Sequence, residues 1–177
     1  MKKAIFFDRD GTIIEDIPYI NNTEYSTLIE GVVPSLKLFQ RMGFLLVMIS
    51  NQSGIGKGFI THEQFEEVHK KVISMLKKED IFLDDFYYCP HKDEDNCTCR
   101  KPSPEMIINT SKKLNINLTN SFMIGDKLTD IETGKNAGCK TVLLNNKPEY
   151  TISIKPNFVA KNWWEIENYI WWVVNDR

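Results

Sequence analysis

Five short runs of mainly apolar residues are spread along the chain, and each ends at a polar or glycine-containing turn. The runs cover residues 4–8, 44–50, 86–89, 122–126 and 141–145. Their apolar character is nearly continuous, whereas a half-exposed strand would alternate apolar and polar positions. Such runs are typical of strands buried on both faces, as in a parallel sheet. The pattern therefore predicts five buried parallel strands.

The longest helical pattern follows the second run. Thr61 and Gln64 have the spacing of a capping box. The helix behind them has apolar residues at three- and four-residue intervals, namely Phe65, Val68, Val72 and Leu76. His62 and His69 are predicted to lie as surface residues on the polar side of this helix.

Three further helices have boundary signals. Ser103 and Pro104 predict an N-cap followed by the first helical residue, and helices over 34–42 and 129–137 each stop at a glycine. Strands that alternate with helices predict a doubly wound α/β fold with a mainly parallel sheet. No repeat or linker divides the sequence, so residues 1–177 are predicted to form a single domain. Such sheets bind ligands beyond the carboxyl ends of their strands.

A C-terminal helix is unusually rich in tryptophan. Asn162 and Glu165 are predicted to cap it, and one apolar face contains Trp163, Ile166, Ile170 and Val173. A second side of the helix contains three further tryptophans, at 164, 171 and 172. Two interpretations stay open for that side: deep burial in the domain, or a surface for a partner or for homo-oligomers.

Composition narrows the class of protein. Apolar residues make up 42% and charged residues 26% of the 177 residues, as in an ordinary globular protein. The net charge of -2 gives no bulk attraction to nucleic acid or anionic lipid, so neither is expected as a partner. The first apolar run is too short for a signal peptide, and the runs at 44–49 and 169–174 are too short to span a bilayer. The expected compartment is the cytoplasm.

Polar residues stand where three of the predicted strands end. Asp8 is at the tip of the first strand with Asp10 two residues on, Ser50 ends the second, and Asp126 ends the fourth, with Asp130 four residues on. The carboxyl ends of parallel strands share one edge, so carboxylates and anion donors are expected to meet there. Carboxylates brought together repel one another unless a cation lies between them, and ligands that are all oxygen suit Mg²⁺. A carboxylate nucleophile beside Mg²⁺ points to phosphoryl transfer.

Four segments, in order, resemble the motifs of the haloacid dehalogenase superfamily of phosphatases: DRDGT, SNQSG, RKP and GDKLTD. Within it, NQSGIGKG, YYCPH and CTCRKP are similar to the branch of heptose bisphosphate and histidinol phosphate phosphatases. The resemblance implies removal of the 7-phosphate of D-glycero-D-manno-heptose 1,7-bisphosphate through an aspartyl-phosphate. Histidinol phosphate is the alternative substrate. A non-catalytic zinc-binding interaction module is the alternative from another class.

The same resemblance implies catalytic roles. Asp8 would be the nucleophile and a Mg²⁺ ligand. Asp10 would act as general acid and then as general base, with its backbone carbonyl on the metal. Ser50 and Lys101 would bind the transferring phosphoryl group. Asp126 would complete the protein's Mg²⁺ ligands.

Contacts with a small phosphorylated sugar follow from the resemblance as well. Asp130 would contact the Mg²⁺ ligands rather than the metal itself. The substrate itself would be contacted by Asp16, Tyr19, Asn51, Gln52, Ser53, Arg100 and Lys127. The segment IIEDIPYI departs from the pattern at Ile17 and Pro18, where relatives carry histidine and glycine before the tyrosine. This segment would line the substrate pocket, so the departure concerns which substrate is bound more than which reaction is catalysed.

The segment CPHKDEDNCTC contains a second group of potential metal ligands. Cys89, His91, Cys97 and Cys99 form a full tetrahedral set for Zn²⁺, and a closed set leaves no position for water or substrate. Clustered cysteines in a reducing compartment favour a metal over disulfides. The zinc is therefore predicted to be structural and to fix the cations that follow it. The loop resembles the feature that stands in place of a large cap domain in this branch; cysteines clustered by chance and a nucleic-acid-binding finger are the alternatives.

Overall fold

The computed structural model describes residues 1–145 and 154–175. Its strands are β1 (Lys3–Phe7), β2 (Phe44–Asn51), β3 (Asp85–Cys89), β4 (Phe122–Gly125), β5 (Lys140–Leu144) and β6 (Phe158–Ala160). They form one sheet in the order β3-β2-β1-β4-β5-β6, and every neighbouring pair is parallel. The first five agree with the predicted runs to within one residue. β6 escaped prediction because a three-residue edge strand leaves almost no pattern.

The helices lie between these strands. They are α1 (Val32–Arg41), α2 (Ser53–Gly56), α3 (His62–Lys78), α4 (Glu105–Leu114), α5 (Leu128–Ala137) and α6 (Trp163–Asn175). Three short 3-10 turns cover Thr23–Tyr25, Asp93–Asp95 and Leu118–Asn120. The capping box of α3 is confirmed, since Thr61 and Gln64 exchange side-chain to backbone hydrogen bonds of 2.9 and 3.2 Å.

Three helix starts differ from prediction, that of α5 by a single residue, since it begins at Leu128. α4 begins at Glu105, because the carbonyl of Pro104 accepts the first helical bond from Ile108 N and thereby makes Pro104 the cap. The Ser103 hydroxyl still accepts a bond of 3.4 Å from Glu105 N. α1 begins two residues early, at Val32, so that Pro34 lies in the first turn, where its missing N–H costs no helical bond.

The sheet has a hydrophobic core on each face. Ile5 and Phe7 of β1 face one core, which includes apolar residues of α1, α3 and α6. Ala4 and Phe6 face the other core, together with Met106 of α4 and Ala137 at the end of α5. Because alternate residues of one strand are buried on opposite faces, the predicted doubly wound α/β fold is confirmed.

Helix α6 is buried on one face only. Trp163 is fully buried and donates its indole N–H to the carbonyl of Thr12 over 2.8 Å, while Ile166 and Ile170 have no exposed surface. The other three tryptophans, at 164, 171 and 172, are 45%, 54% and 58% exposed. Deep burial is therefore the wrong interpretation for that side. Homo-oligomers through it stay a prediction.

His69 also departs from the sequence interpretation. It is only partly exposed, and its ring stacks on Phe86 with the centroids 3.7 Å apart. Burial, and then the charge of Arg9, lower the pKa of His69 to about 4. The residue is therefore part of an aromatic layer between α3 and β3 rather than a plain surface histidine.

Within the described ranges, no helix has the length and apolarity that crossing a membrane requires. The predicted single domain over 1–177 includes 146–153 and 176–177, which lie outside the described residues.

Candidate active site

The predicted nucleophile, Asp8, follows β1 directly, and hydrogen-bond donors surround its carboxylate. The backbone N–H of Asp8 bonds to the carbonyl of Ile124, which fixes the strand tip beside β4. One carboxylate oxygen of Asp8 accepts a bond of 2.8 Å from the N–H of Arg9 and lies 3.0 Å from Lys101 Nζ. Asp8 is only 4% exposed. Its carboxylate is therefore held in one orientation.

Lys101 pairs with one acid at the end of β1 and with another in the first turn of α5. Its ammonium group pairs with Asp130 at 2.6 Å and with Asp8 at 3.0 Å, and it donates to the carbonyl of Ile49. Burial alone would lower the pKa of Lys101, but Asp130 and Asp8 raise it above its ordinary value. Lys101 is thus a fixed cation beside the predicted nucleophile.

The side chain of Asn51 makes a structural contact that was not predicted from the sequence. Its side-chain amide donates to the carbonyl of Lys101 and accepts from the N–H of Lys101, both over 3.0 Å. This reciprocal pair ties the end of β2 to the loop that carries Lys101. Both ends of the amide are used in this way, so its predicted contact with substrate stays a prediction.

Three carboxylates of the site could serve a cation. Ligand oxygens of Asp8, Asp126 and Asp130 lie within 4.8 Å of one another. Burial raises the pKa of Asp126 to about 7, with Asp130 and Asp8 adding to the rise. Asp130 is already engaged, because it accepts from Lys101 and from the N–H of Lys127. Asp8 and Asp126 are therefore the carboxylates that fit Mg²⁺, whose preferred ligands are oxygen atoms.

Gly11 leaves room for this acid cluster. A Cβ atom at Gly11 would collide with the carboxylate of Asp126, and the residue has a positive φ of 78°. The Thr12 hydroxyl next to it donates to Asp126 over 3.4 Å. The turn after β1 thus brings Asp126 close to the end of the strand.

The carboxylate of Asp10 lies outside the acid cluster and has its own set of donors. Arg9 donates to both of its oxygens, Nε to Oδ1 and Nη2 to Oδ2, each over 3.0 Å. Gln52 donates to Oδ2 over 2.7 Å and also to the Ser50 hydroxyl over 2.9 Å. Arg9 was missed from the sequence, where the only signal was a charged residue between the two acids of DRDGT. The predicted metal contact of Asp10 concerns its backbone carbonyl and stays a prediction.

Two neighbouring cavities open above these residues. One, of about 530 Å³, is lined by Asp8, Lys101 and Arg100. The other, of about 250 Å³, is lined among others by Asp16, Tyr19, Gln52 and Gly54. Asp10, Asn51, Ser53 and Lys127 line both cavities. All seven residues predicted to contact substrate therefore lie around one open region, although no ligand tests their contacts.

Tyr19, which lines the smaller cavity, packs against the ring of Phe59 on its outer side. The rings of Tyr19 and Phe59 have centroids 4.6 Å apart, and the two residues are 43% and 59% exposed. A Cβ at Gly54 would lie 2.7 Å from the Tyr19 ring, so the absence of a side chain there lets the ring approach. Phe59 was not predicted, because a single aromatic residue in a glycine-rich loop gives no periodic signal.

The four predicted zinc ligands come together in the loop after β3. The sulfur of Cys89 lies 3.4 Å from His91 Nδ1, 3.5 Å from the sulfur of Cys97 and 3.0 Å from that of Cys99. All four ligand atoms are within 4.8 Å of one another, and none of the cysteines is in a disulfide. The group can hold a metal ion. Arg100 is anchored to the same loop by Asp93 at 2.7 Å.

Comparisons with known proteins agree with this geometry. The profile of the HAD-hydrolase-like family matches residues 98–166. The D-glycero-beta-D-manno-heptose-1,7-bisphosphate 7-phosphatase of Pasteurella multocida is 41% identical over 81% of this chain and 82% of its own, and that of Escherichia coli K12 is 37% identical over 97% and 88%. A B. bronchiseptica heptose bisphosphate phosphatase, solved with magnesium and phosphate, superposes with a TM-score of 0.83 at 22% identity and covers 99% of each chain. The family predicted from the four motifs is thus confirmed, and the chain belongs to the haloacid dehalogenase-like hydrolases.

Proposed function

We propose that this protein removes the 7-phosphate of D-glycero-D-manno-heptose 1,7-bisphosphate through an aspartyl-phosphate intermediate. The observation that carries the proposal is the placement of Asp8. Its carboxylate is buried at a strand end, beside the fixed cation of Lys101 and next to the separate acid Asp10. A nucleophile, an anion clamp and a proton donor are the groups that hydrolysis by this route needs.

The first step transfers the phosphoryl group to the enzyme. A carboxylate oxygen of Asp8 attacks phosphorus, and the bond from phosphorus to the sugar oxygen breaks. Asp10 gives its proton to that leaving oxygen, so the sugar departs as an alcohol. Lys101 and the Ser50 hydroxyl hold the oxygens of the group in transfer.

The second step regenerates the carboxylate. Asp10, now ionised, takes a proton from water, whose oxygen attacks phosphorus and displaces Asp8. Inorganic phosphate leaves. Mg²⁺, which Asp8, Asp126 and the carbonyl of Asp10 would hold, supplies neutralising charge to the phosphoryl oxygens.

The choice of a bisphosphate rests on the cations around the cavities and on the relatives' names. Arg100 and Lys127 line the larger cavity outside the predicted nucleophile, where they can meet a second phosphate. Histidinol phosphate carries a cationic amine in place of a second phosphate and would make no ion pair with Arg100 or Lys127. The heptose ester is therefore the substrate that the charges favour.

The loop after β3 is proposed to hold structural Zn²⁺ through Cys89, His91, Cys97 and Cys99. Three thiols and one imidazole within 4.8 Å suit zinc in a closed tetrahedral site. Arg100 and Lys101 follow Cys99 directly. The metal would thereby fix the cation that pairs with Asp8.

The test measures phosphate release with Mg²⁺ from heptose 1,7-bisphosphate, fructose 1,6-bisphosphate and histidinol phosphate. The expected result is a strong preference for the heptose ester. Preference for histidinol phosphate would overturn the substrate and keep the chemistry. Asp8→Asn should abolish turnover, whereas Asp10→Asn should leave a trace, because general acid-base help is worth about 10²- to 10⁴-fold. Normal turnover by Asp8→Asn, or no turnover of any ester by the wild type, would refute the mechanism.

A further inference from the structure

We propose that Arg9 is a positioning residue for this reaction: it acts through Asp10 by holding the Asp10 carboxylate in the orientation from which it serves the leaving oxygen. The inference rests on the proposed function, since it takes Asp10 as the proton donor. It concerns a residue in no predicted catalytic or binding role.

The geometry is that of a two-pronged clamp. Arg9 donates Nε and Nη2 to the two oxygens of Asp10 at 3.0 Å each. Gln52 adds a bond of 2.7 Å to one of those oxygens. A planar guanidinium that bonds to both oxygens fixes the plane of a carboxylate as well as its distance, which a lysine cannot do.

Burial argues against a purely stabilising role. Arg9 is completely buried, and within the described residues its Nη1 has no hydrogen-bond partner. Its guanidinium lies instead over the ring of Phe65, 5.1 Å from the centroid. A buried ion pair is often no more stabilising than apolar residues of similar volume, because both charges lose their water. The cost of burying Arg9 is better explained by what it does for Asp10.

The loop itself does not depend on the Arg9 side chain. The backbone carbonyl of Arg9 accepts bonds from the N–H groups of Thr12, Ile13 and Ile14 at 3.4, 2.8 and 3.1 Å, and these bonds form the turn. Removing the side chain should therefore free the Asp10 carboxylate while the turn stays. This separation makes the positioning role testable.

The first experiment compares leaving groups in Arg9→Met, which keeps the length and apolar stem but removes the clamp. A sugar alkoxide needs a proton in order to leave, whereas p-nitrophenolate needs little help. We expect kcat on the heptose ester to fall by about 10²-fold, within the range of general acid catalysis. The single-turnover release of p-nitrophenol should change far less. Equal losses on both esters would overturn the inference.

A double-variant cycle tests whether Arg9 acts through Asp10. If it does, Arg9→Met should cost little activity once Asp10→Asn is present, whereas independent residues would give multiplying losses. Multiplying losses would refute the positioning role. Arg9→Lys should recover only part of the activity, because it keeps the charge and loses the two-pronged geometry.

Controls distinguish failure of this inference from misfolding of the variant and from failure of the proposed function. Arg41→Met, at an exposed arginine of α1, should leave activity unchanged, and the thermal unfolding of Arg9→Met shows whether it folds. If Arg9→Met unfolds, Arg9→Gln, which keeps a polar side chain but loses the two-pronged contact, provides the same comparison of leaving groups, and equal losses there would again count against positioning. Failure of the proposed function would appear differently, as the absence of p-nitrophenol release from the wild type.

Discussion

At the scale of single residues, the charges of the site converge on Lys101. Its ammonium group is almost fully buried between the carboxylates of Asp8 and Asp130. We expect such a group to support both catalysis and stability, because removing it leaves two acids close together without their common cation.

Lys101→Met should therefore abolish activity and lower the free energy of unfolding by about 3–5 kcal/mol, the usual cost of breaking a buried pair. Urea denaturation measures the second effect. Lys113→Met is the matched control, since Lys113 pairs with Asp85 at 3.0 Å with more than half of its side chain exposed. Its removal should cost far less, because water screens an exposed ion pair. Equal costs for the two variants would contradict the account of Lys101.

Single residues also show which contacts of the site could not be predicted from the sequence. Asp8, Ser50 and Asp126 could be placed at one edge from the sequence, because they follow strands whose carboxyl ends must coincide. The clamp of Arg9 on Asp10 could not be, since a charged residue in a turn gives no sign that it folds inward. Asn51 was expected to contact the substrate, which stays a prediction, and the hydrogen bonds of its amide to the backbone of Lys101 could not be foreseen.

At the scale of elements, the loop after β3 connects a predicted metal to the phosphate clamp. Its four ligands could be read from their spacing, and the structure brings them together. The start of α4, two residues beyond Ser103, was misjudged by one position because serine and proline can each cap a helix.

Cys97→Ser should remove zinc and lower activity by misplacing Lys101, while Asp8 stays in place. Metal content and phosphate release measured on one preparation test this expectation. Cys139→Ala is the control, because that cysteine is buried in the core away from the four ligands. Full activity in a zinc-free Cys97→Ser protein would refute the structural role of the metal.

The aromatic pair of Tyr19 and Phe59 is proposed to lie against the carbon chain of the sugar. Phe59→Ala should raise KM for the heptose ester by about 5- to 10-fold, equivalent to about 1 kcal/mol for a lost aromatic contact. It should leave kcat on a small ester such as acetyl phosphate unchanged. Phe82→Ala, at a phenylalanine that is 57% exposed and whose backbone N–H bonds to Gln40 of α1 rather than packing on Tyr19, should alter neither constant. An unchanged KM in Phe59→Ala would remove the pair from substrate binding.

At the scale of the whole molecule, the sheet explains why much of the site was predictable. β1, β2 and β4 are neighbours and parallel, so their polar ends meet without any long-range information. The outer side of α6 was not predictable in this way. Tryptophans in a helix are usually predicted to be core residues, whereas three of the four in α6 are about half exposed.

Self-association through that side of α6 stays a prediction. Light scattering coupled to gel filtration should give twice the mass of 20.6 kDa, and Trp171→Glu with Trp172→Glu should restore the mass of one chain. Trp163→Glu would be uninformative, because that residue is in the core. A monomeric mass for the wild type at all concentrations would rule out the interface.

The close approach of Gly11 to Asp126 has a consequence for how the sequence can vary. Gly43 has a similar positive φ, but nothing lies within 4 Å of the place where its Cβ would be. A saturation library selected for activity should therefore accept asparagine at position 43, where only backbone preference opposes it. At position 11 it should return glycine alone, because any side chain would occupy the space of the acid cluster.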